Sequence, residues 1–542
     1  MDSKDKAVEA ALVQVERQRP SRKVRSMRTH RAGNGIYAKG YDEAGASLTR
    51  RSLQGFIPSS GSPNEDIIRH TSTLRQRSRM LMMSSPLATG IIDTYRTKVV
   101  GPGLSLKSTV NREILGISKE EAKKWESLVE AEWKMWTESG RNCDALGLSD
   151  FNSIQQLALK SWLASGDVTV LFKRDLPTPQ NPYTLRLHVV EADRVRTPEK
   201  YIGTAASLYT KCGKIPDGEP GAGNMIYDGV EVDIGGKVVA FHICNTYPGE
   251  YNGDLPEYTR VKAFGEHSGM PNLIYAMVSE RPDQYRGVPI LAPAIENLLQ
   301  IRRYTESELM AALVQSMFTA WIETEDDPSM IPINEVGAEY DSDPDDGDID
   351  ENQNTYEMGP ATVTVLKKGE KIVFGNPNIP TAGFETFMRT LCEIICAGTG
   401  LPFEVAMKKY NTSYSAARGE LLEAWESVRM WRSWLVSGVC RPVYEMWLAE
   451  AVATGRIKAP GFFDDPLIRS AWCGAQWIGP VQGSIDPKKE IDANINAVRY
   501  GFKTHTQVTR EGGGDWDTNI ELLEDENKRL KQAQGSTEPI NT

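Results

Sequence analysis

From Pro293 to Ile322 the chain runs for about 30 residues without a glycine or a second proline. Proline suits a first helical turn, and at 1.5 Å per residue such a helix is a rod of roughly 45 Å. Arg302 with Glu306 at i, i+4, together with Glu296, Arg303 and Glu308, keeps the rod out of a lipid bilayer. Its apolar stripe must therefore meet other helices, and the chain has to be organised along a strut.

A second constraint lies between Phe384 and Leu435. Phe384, Phe387, Met388, Leu391, Cys392, Ile395 and Cys396 recur at helical spacing, until Gly398, Gly400 and Pro402 stop the pattern. Leu421, Trp425, Val428, Trp431 and Leu435 mark the face of a following helix. Between them a polar, lysine-bearing loop begins near Met407. Two amphipathic helices holding a short polar loop form a mechanical arrangement rather than a catalytic one.

With 542 residues the chain has room for three or four domains. The 62 Lys plus Arg against 73 Asp plus Glu leave a net charge of -11, which argues against a surface wrapped tightly around a polyanion. It leaves open a channel through which DNA slides, because many phosphate contacts would act as drag. Twelve tryptophans imply extensive packing or subunit contact surfaces. Seven scattered cysteines form no paired framework, so a reducing, cytoplasmic setting is expected. No run of about 18 apolar residues predicts a membrane span.

Residues 1–60 carry 12 basic against 6 acidic side chains and read as a flexible arm that ends in a turn-rich hinge at Pro58 to Pro63. Helical patterns follow from Asp66, break at Pro86, and resume at Lys119 to Glu138 and Phe151 to Ala164. DVTVLFKR at Asp167 and TLRLHVVEAD at Thr184 read as strands, and VEVDIGGKVVAFHI as a hairpin about Gly235-Gly236. Residues 61–292 are thus an α+β unit with an antiparallel sheet. Residues 323–380 form an insertion with an acidic run, in which a second hairpin, TVTVLKKGEKIVF, turns about Lys368-Gly369. A helix reaching Gly455 and a charged helix, ELLEDENKRLKQAQ, complete the chain.

The catalytic candidates are weak. From Glu339 to Glu351 there are eight carboxylates and no base. A calcium hand started at Asp341 would put Asp346 where the turn needs glycine and Asn352 where a bidentate glutamate is needed. The run reads as a solvated loop. A metal-dependent nuclease using Asp343, Asp345, Asp346 and Asp348 is one alternative, and a monomeric adaptor using the run as a protein-binding tail is another. Gly235-Gly236-Lys237 is followed by valine, so it is no phosphate loop. His242 and Cys244 in a strand, and Cys392 with Cys396 on a helical face, read as packing residues rather than metal ligands. No enzyme site, cofactor or metal is expected.

Taken in order, several stretches resemble the portal proteins of lambda-type tailed phages. They are SSGSPNEDI at Ser59, RSRMLMMSSPLATGIIDTYRTKVVGPGL at Arg77, EADRVRTP at Glu191, GVEVDIGGKVVAFHI at Gly229, RPDQYRGVPILAPAI at Arg281, GLPFEVAMKKYNTSYSAARGELLEAW at Gly400, and WIGPVQGSIDPKKE at Trp477.

The resemblance implies an α+β, mainly helical portal fold assembled as a closed ring, typically a dodecamer, at one capsid vertex, with double-stranded DNA passing through it. Residues 61–292 would form the wing, 293–322 and 381–407 the stem helices, and 323–380 a small α/β clip. Residues 408–414 would be the tunnel loop and 415–542 a long helix, a C-terminal wing and crown region, and a tail. Lys408, Lys409, Tyr410, Asn411, Thr412, Ser413 and Tyr414 would face the DNA without reading its sequence. Asp341, Asp343, Asp345, Asp346, Asp348 and Asp350 of the clip would meet docking partners. The implied partners are the large terminase, the major capsid protein or scaffold, and head-tail joining proteins, with no membrane. The implied location is the virion, after assembly in the host cytoplasm.

Overall fold

The computed structural model describes residues 46, 51–58, 60–202, 211–250, 255–317, 321–323, 371–373, 383–409, 413–483, 487–514 and 516–535. It has two units, Met1–Ser60 and Gly61–Thr542. The first contributes a single described 3-10 turn, Arg51–Leu53.

Ser62 accepts a hydrogen bond from the Glu65 amide and opens α1, Pro63–Ser84, which is followed after one residue by α2, Pro86–Val99. Strand β1, Ser105–Ser108, leads to α3, Lys119–Thr137, whose start is fixed by a capping box of Ser118 and Glu121. Helix α4, Phe151–Ser165, ends at the left-handed Gly166. There β2, Asp167–Arg174, begins, flanked on one side by β3, Leu185–Val190, and on the other by β9, Leu273–Met277, in a three-stranded antiparallel sheet. The expected hairpin at Gly235-Gly236 is present as β6, Val230–Val232, against β7, Val238–Cys244. These two sit inside a second, five-stranded sheet with β4, Cys212–Lys214, β5, Met225–Tyr227, and β8, Tyr258–Lys262. The strands between Asp167 and Met277 thus form two sheets rather than one. A small core of Val230, Val232, Phe241 and Ile243 serves the five-stranded sheet.

The strut is shorter than its sequence pattern. After a 3-10 turn at Ala292–Ala294, α5 spans Ile295–Met317, 23 residues, and Trp321–Glu323 is already a strand, β10. It pairs antiparallel with β11, Lys371–Val373, so the Lys371 segment has a partner outside the predicted 362–374 hairpin. Residues 362–370 of that hairpin lie outside the described residues. Cross-strand pairing from a site some 50 residues away overrides a helical run that local pattern alone would have continued.

Three helices follow: α6, Phe384–Thr399, the short α7, Phe403–Met407, and α8, Tyr414–Leu435. A five-residue π segment, Val436–Cys440, joins α8 to α9, Arg441–Ala453. Pro442 explains the widened turn, since it lacks an amide hydrogen and its ring crowds the carbonyl one turn back. Strand β12, Ala475–Ile478, pairs with β1, and the chain finishes with α10, Pro487–Arg499, α11, His505–Glu511, and α12, Trp516–Gly535.

Most apolar burial lies in one core to which α2, α3, α4, the three-stranded sheet, α6, α8 and α9 all contribute. Trp133 of α3 is its hub, with Trp136, Phe151, Tyr444 and Trp447 rings 5.1–5.6 Å away. Residues on both sides of the strut therefore share one interior.

Candidate nucleic-acid interface

Helix α6 buries Leu391, Cys392, Ile395, Cys396 and Thr399, so the two cysteines are packing residues. It stops at Gly400, whose φ of +72° only glycine adopts without strain. Tyr95 of α2 donates to the Thr399 carbonyl at 2.8 Å and pins this end to the core. Pro402 then sets up α7, whose Glu404, Val405 and Ala406 are buried. At its end Lys408 takes the left-handed conformation, φ +55°, and its amide donates to the Glu404 carbonyl. That conformation is unfavourable for a side chain with a Cβ, and here it closes the helix and turns the backbone outward. Ser413 accepts from the Ala416 amide and so caps α8.

Lys408, Lys409 and Ser413 are exposed at the base of this connection. Tyr410, Asn411 and Thr412 lie outside the described residues, and Tyr414 is already the first residue of α8. Neither lysine has an ion-pair partner among the described residues. Instead, Lys408 lies near a third cation, Lys98 of α2: burial first, and then Lys408, pushes the Lys98 amine below its ordinary value. Lys98 in turn stands 6.0 Å from the Trp425 ring centroid. The arrangement offers uncompensated positive charge on a short loop held by two packed helices. It suits sequence-independent phosphate contact and presents no nucleophile or base.

The acidic run, with Asp341, Asp343, Asp345, Asp346, Asp348 and Asp350, lies outside the described residues. His242 and Cys244 are buried on β7: His242 Nε2 is 3.1 Å from Glu231, and the Arg196 guanidinium donates to the Cys244 sulfur at 3.0 Å. Among the described residues no three His, Cys, Asp or Glu side chains group as metal ligands, and no helix is long and apolar enough to cross a membrane.

One constellation was not legible in the sequence. Asp167, fully buried at the start of β2, accepts from Arg75 at 2.7 Å, Arg286 at 2.8 Å, the Tyr275 hydroxyl at 3.0 Å and the Gly287 amide at 3.1 Å. Burial works against its charge, but the Arg286 and Arg75 guanidinia more than offset this and hold its carboxyl below the ordinary value. Asp228 pairs with both arginines, Asp193 with Arg75, and Arg79 with Glu191 and Asp193. Stretches that are far apart in sequence, around Arg79, Glu191 and Arg286, meet here and lock α1 to both sheets. The signal available beforehand was only that these stretches were distinctive.

Residues 49–432 match the family described as phage portal protein, lambda family. The chain is 22% identical over 476 residues to the portal protein of Escherichia phage N15, covering 86% of this chain and 85% of that one. It is 22% identical over 488 residues to portal protein B of Escherichia phage lambda, covering 88% and 87%. Among solved structures, the neck of an empty GTA particle computed with C6 symmetry aligns with a TM-score of 0.40 and 10% identity, over 81% of this chain and 92% of that chain.

Proposed function

The chain belongs to the lambda family of phage portal proteins, and on that premise we propose that it assembles as a closed ring, with the number of copies typically twelve, through which double-stranded DNA is packaged and ejected. It is a structural component of the capsid rather than an enzyme. The observation that carries the ring is the apolar surface left open on two neighbouring rods. Leu309 and Met310 of α5, and Phe387 and Ile394 of α6, are each 49–66% exposed. The rods are already joined through Tyr304, whose ring stacks on Phe384 at 5.4 Å and meets Phe387 at 5.1 Å. Exposed apolar side chains on paired helices call for a further helix, and identical copies arranged head to tail supply one at every interface.

In this reading α5 and α6 are stem helices and residues 408–414 the tunnel loop, where Lys408 and Lys409, repeated around the ring, touch phosphates weakly enough for DNA to slide. Residues 323–380 act as the clip, on which terminase and head-tail joining proteins dock, and residues 61–292 form most of the wing. The capsid protein or scaffold would surround the ring in the virion.

Negative-stain microscopy of the purified protein tests assembly, and monodisperse monomers across salt and protein concentrations would overturn it. Deleting Lys408 to Ser413 should leave rings intact and lower the DNA content of particles. Unchanged DNA content would remove the loop from the mechanism.

A further inference from the structure

Helix α12 carries an apolar seam, yet none of its described side chains is buried. Trp516, Ile520, Leu523, Asn527 and Leu530 follow one another at spacings of four, three, four and three. This is a heptad pattern, with Ile520 and Asn527 at positions a and Trp516, Leu523 and Leu530 at positions d. Leu523 and Leu530 are 50% and 57% exposed.

The chain's own hold on α12 lies in the first turns. Trp516 stacks on His505 of α11 with centroids 4.5 Å apart, which covers the first d position. Glu521 forms an exposed ion pair with Lys123 of α3. At about 100° per residue, Glu521 points roughly 160° away from Leu523. From Leu523 onward every described side chain is exposed, so the seam is turned away from the chain's own anchor.

The residues on and beside the seam specify what covers it. A β-branched residue at a with leucine at d favours two parallel strands, and a single asparagine at a fixes their register. Asn527 can face its own kind only when a second α12 lies alongside it, in the same direction and in register. An antiparallel copy would bury its amide against a leucine at d. The flanks agree with this. Asp525 and Lys528 pair with each other at 3.7 Å, whereas Glu526 and Lys531 have no ion pair among the described residues. Glu526 is at position g and Lys531 at the following e, on opposite sides of the seam and out of each other's reach on one helix. In a parallel pair each g residue meets the next e residue of the other strand, so Glu526 of each copy meets Lys531 of the other.

We propose that α12 helices of adjacent copies pair in twos as a short parallel coiled coil. This rests on the ring reading above, because two heptads associate weakly by themselves. Subunits joined in a ring hold their helices at an effective concentration of about millimolar, which favours the pair. Apart from Leu522, the side away from the seam is polar, with Asp517, Glu521, Asp525, Lys528 and Arg529. Each helix thus has one seam and takes one neighbour, not two. A ring of twelve carries six such pairs, and its twelvefold symmetry falls to sixfold at this helix. Gly512, Gly513 and Gly514 precede α12, with Gly513 at φ +79°, and give the connection the freedom that alternate pairing requires.

Disulfide trapping in the full-length protein tests this, with the unaltered chain as control for the native thiols. Leu523→Cys and Leu530→Cys, each alone, should give a covalent dimer when assembled rings are mildly oxidised. The yield should be about tenfold above that of Asp525→Cys on the outer face, since facing d positions come within disulfide reach. Glu526→Lys should lower the yield several-fold, and adding Lys531→Glu should restore it. Equal yields at Leu523→Cys and Asp525→Cys, or no response to charge reversal, would overturn the pairing. In a chain carrying both Leu523→Cys and Leu530→Cys the products should stop at the dimer. Larger products would put each helix in contact with two neighbours and would overturn pairing in twos. Ring counts by microscopy on the same samples separate the two readings. Rings without trapped dimers overturn the pair but leave the ring, whereas dimers without rings keep the pair and count against the ring.

Discussion

Replacing Asp167 with asparagine keeps the shape of the side chain and removes one negative charge from between Arg75 and Arg286, which are 1% and 0% exposed. Both arginines stay buried. Asp228 still faces them at 3.1 Å from Arg286 and 3.7 Å from Arg75, with Asp193 at 3.6 Å from Arg75, so compensation is partial. Removing one partner of a buried ion pair typically costs about 3–5 kcal/mol, most of it the penalty of leaving the other charge unpaired. For a unit of about 480 residues, unfolding with about 2.1 cal/mol/K per residue, that corresponds to a fall in Tm of roughly 3–5 °C. The assay is thermal unfolding of unassembled protein at pH 7, followed by tryptophan fluorescence and circular dichroism together, since a chain this long need not unfold in one step. Arg286→Met added to Asp167→Asn should cost less than the sum of the two single changes, because the second removes the charge that the first stranded. A fall in Tm below about 2 °C for Asp167→Asn, or strictly additive costs, would refute the argument and assign the load to Asp228 and Asp193.

The five-stranded sheet carries its own acid sensitivity. Burial opposes ionisation of Glu231, but hydrogen bonds from His242, Arg260 and Asn224 pull its carboxyl down to about 2 from the ordinary 4.5. A depressed carboxylate contributes stability that is present above the unfolded value and lost as pH falls through the folded one, here about 3 kcal/mol at most between pH 4.5 and 2. Glu231→Gln should lower stability at neutral pH and flatten the acid limb of a stability profile, and an unchanged limb would contradict the assignment. Gly287→Ala should destabilise more than an ordinary overpacking change of about 1–3 kcal/mol. A Cβ there would lie 1.9 Å from the Gly166 carbonyl oxygen, which is backbone and cannot swing aside. Soluble expression and Tm measure it, and near-native values for both would mean that the turn after Ser165 can shift.

What the sequence determined by itself was local. Apolar periodicity marked α3, α4, α6 and α8, and Gly235-Gly236 announced the hairpin, because each depends on residues a few positions apart. The helix, loop, helix arrangement around Lys408 and Lys409 was legible for the same reason, and the ordered motifs placed the family. The tertiary structure decided what depends on distance. It ended the strut by pairing Trp321–Glu323 with Lys371–Val373, divided the strands between two sheets, and set Lys98 of α2 beside Lys408. It also brought Arg75, Asp167 and Arg286 together across separations of 92 and 119 residues. Charges stranded in a core take their meaning from partners that chain folding delivers, and no window of local pattern contains both members of such a pair.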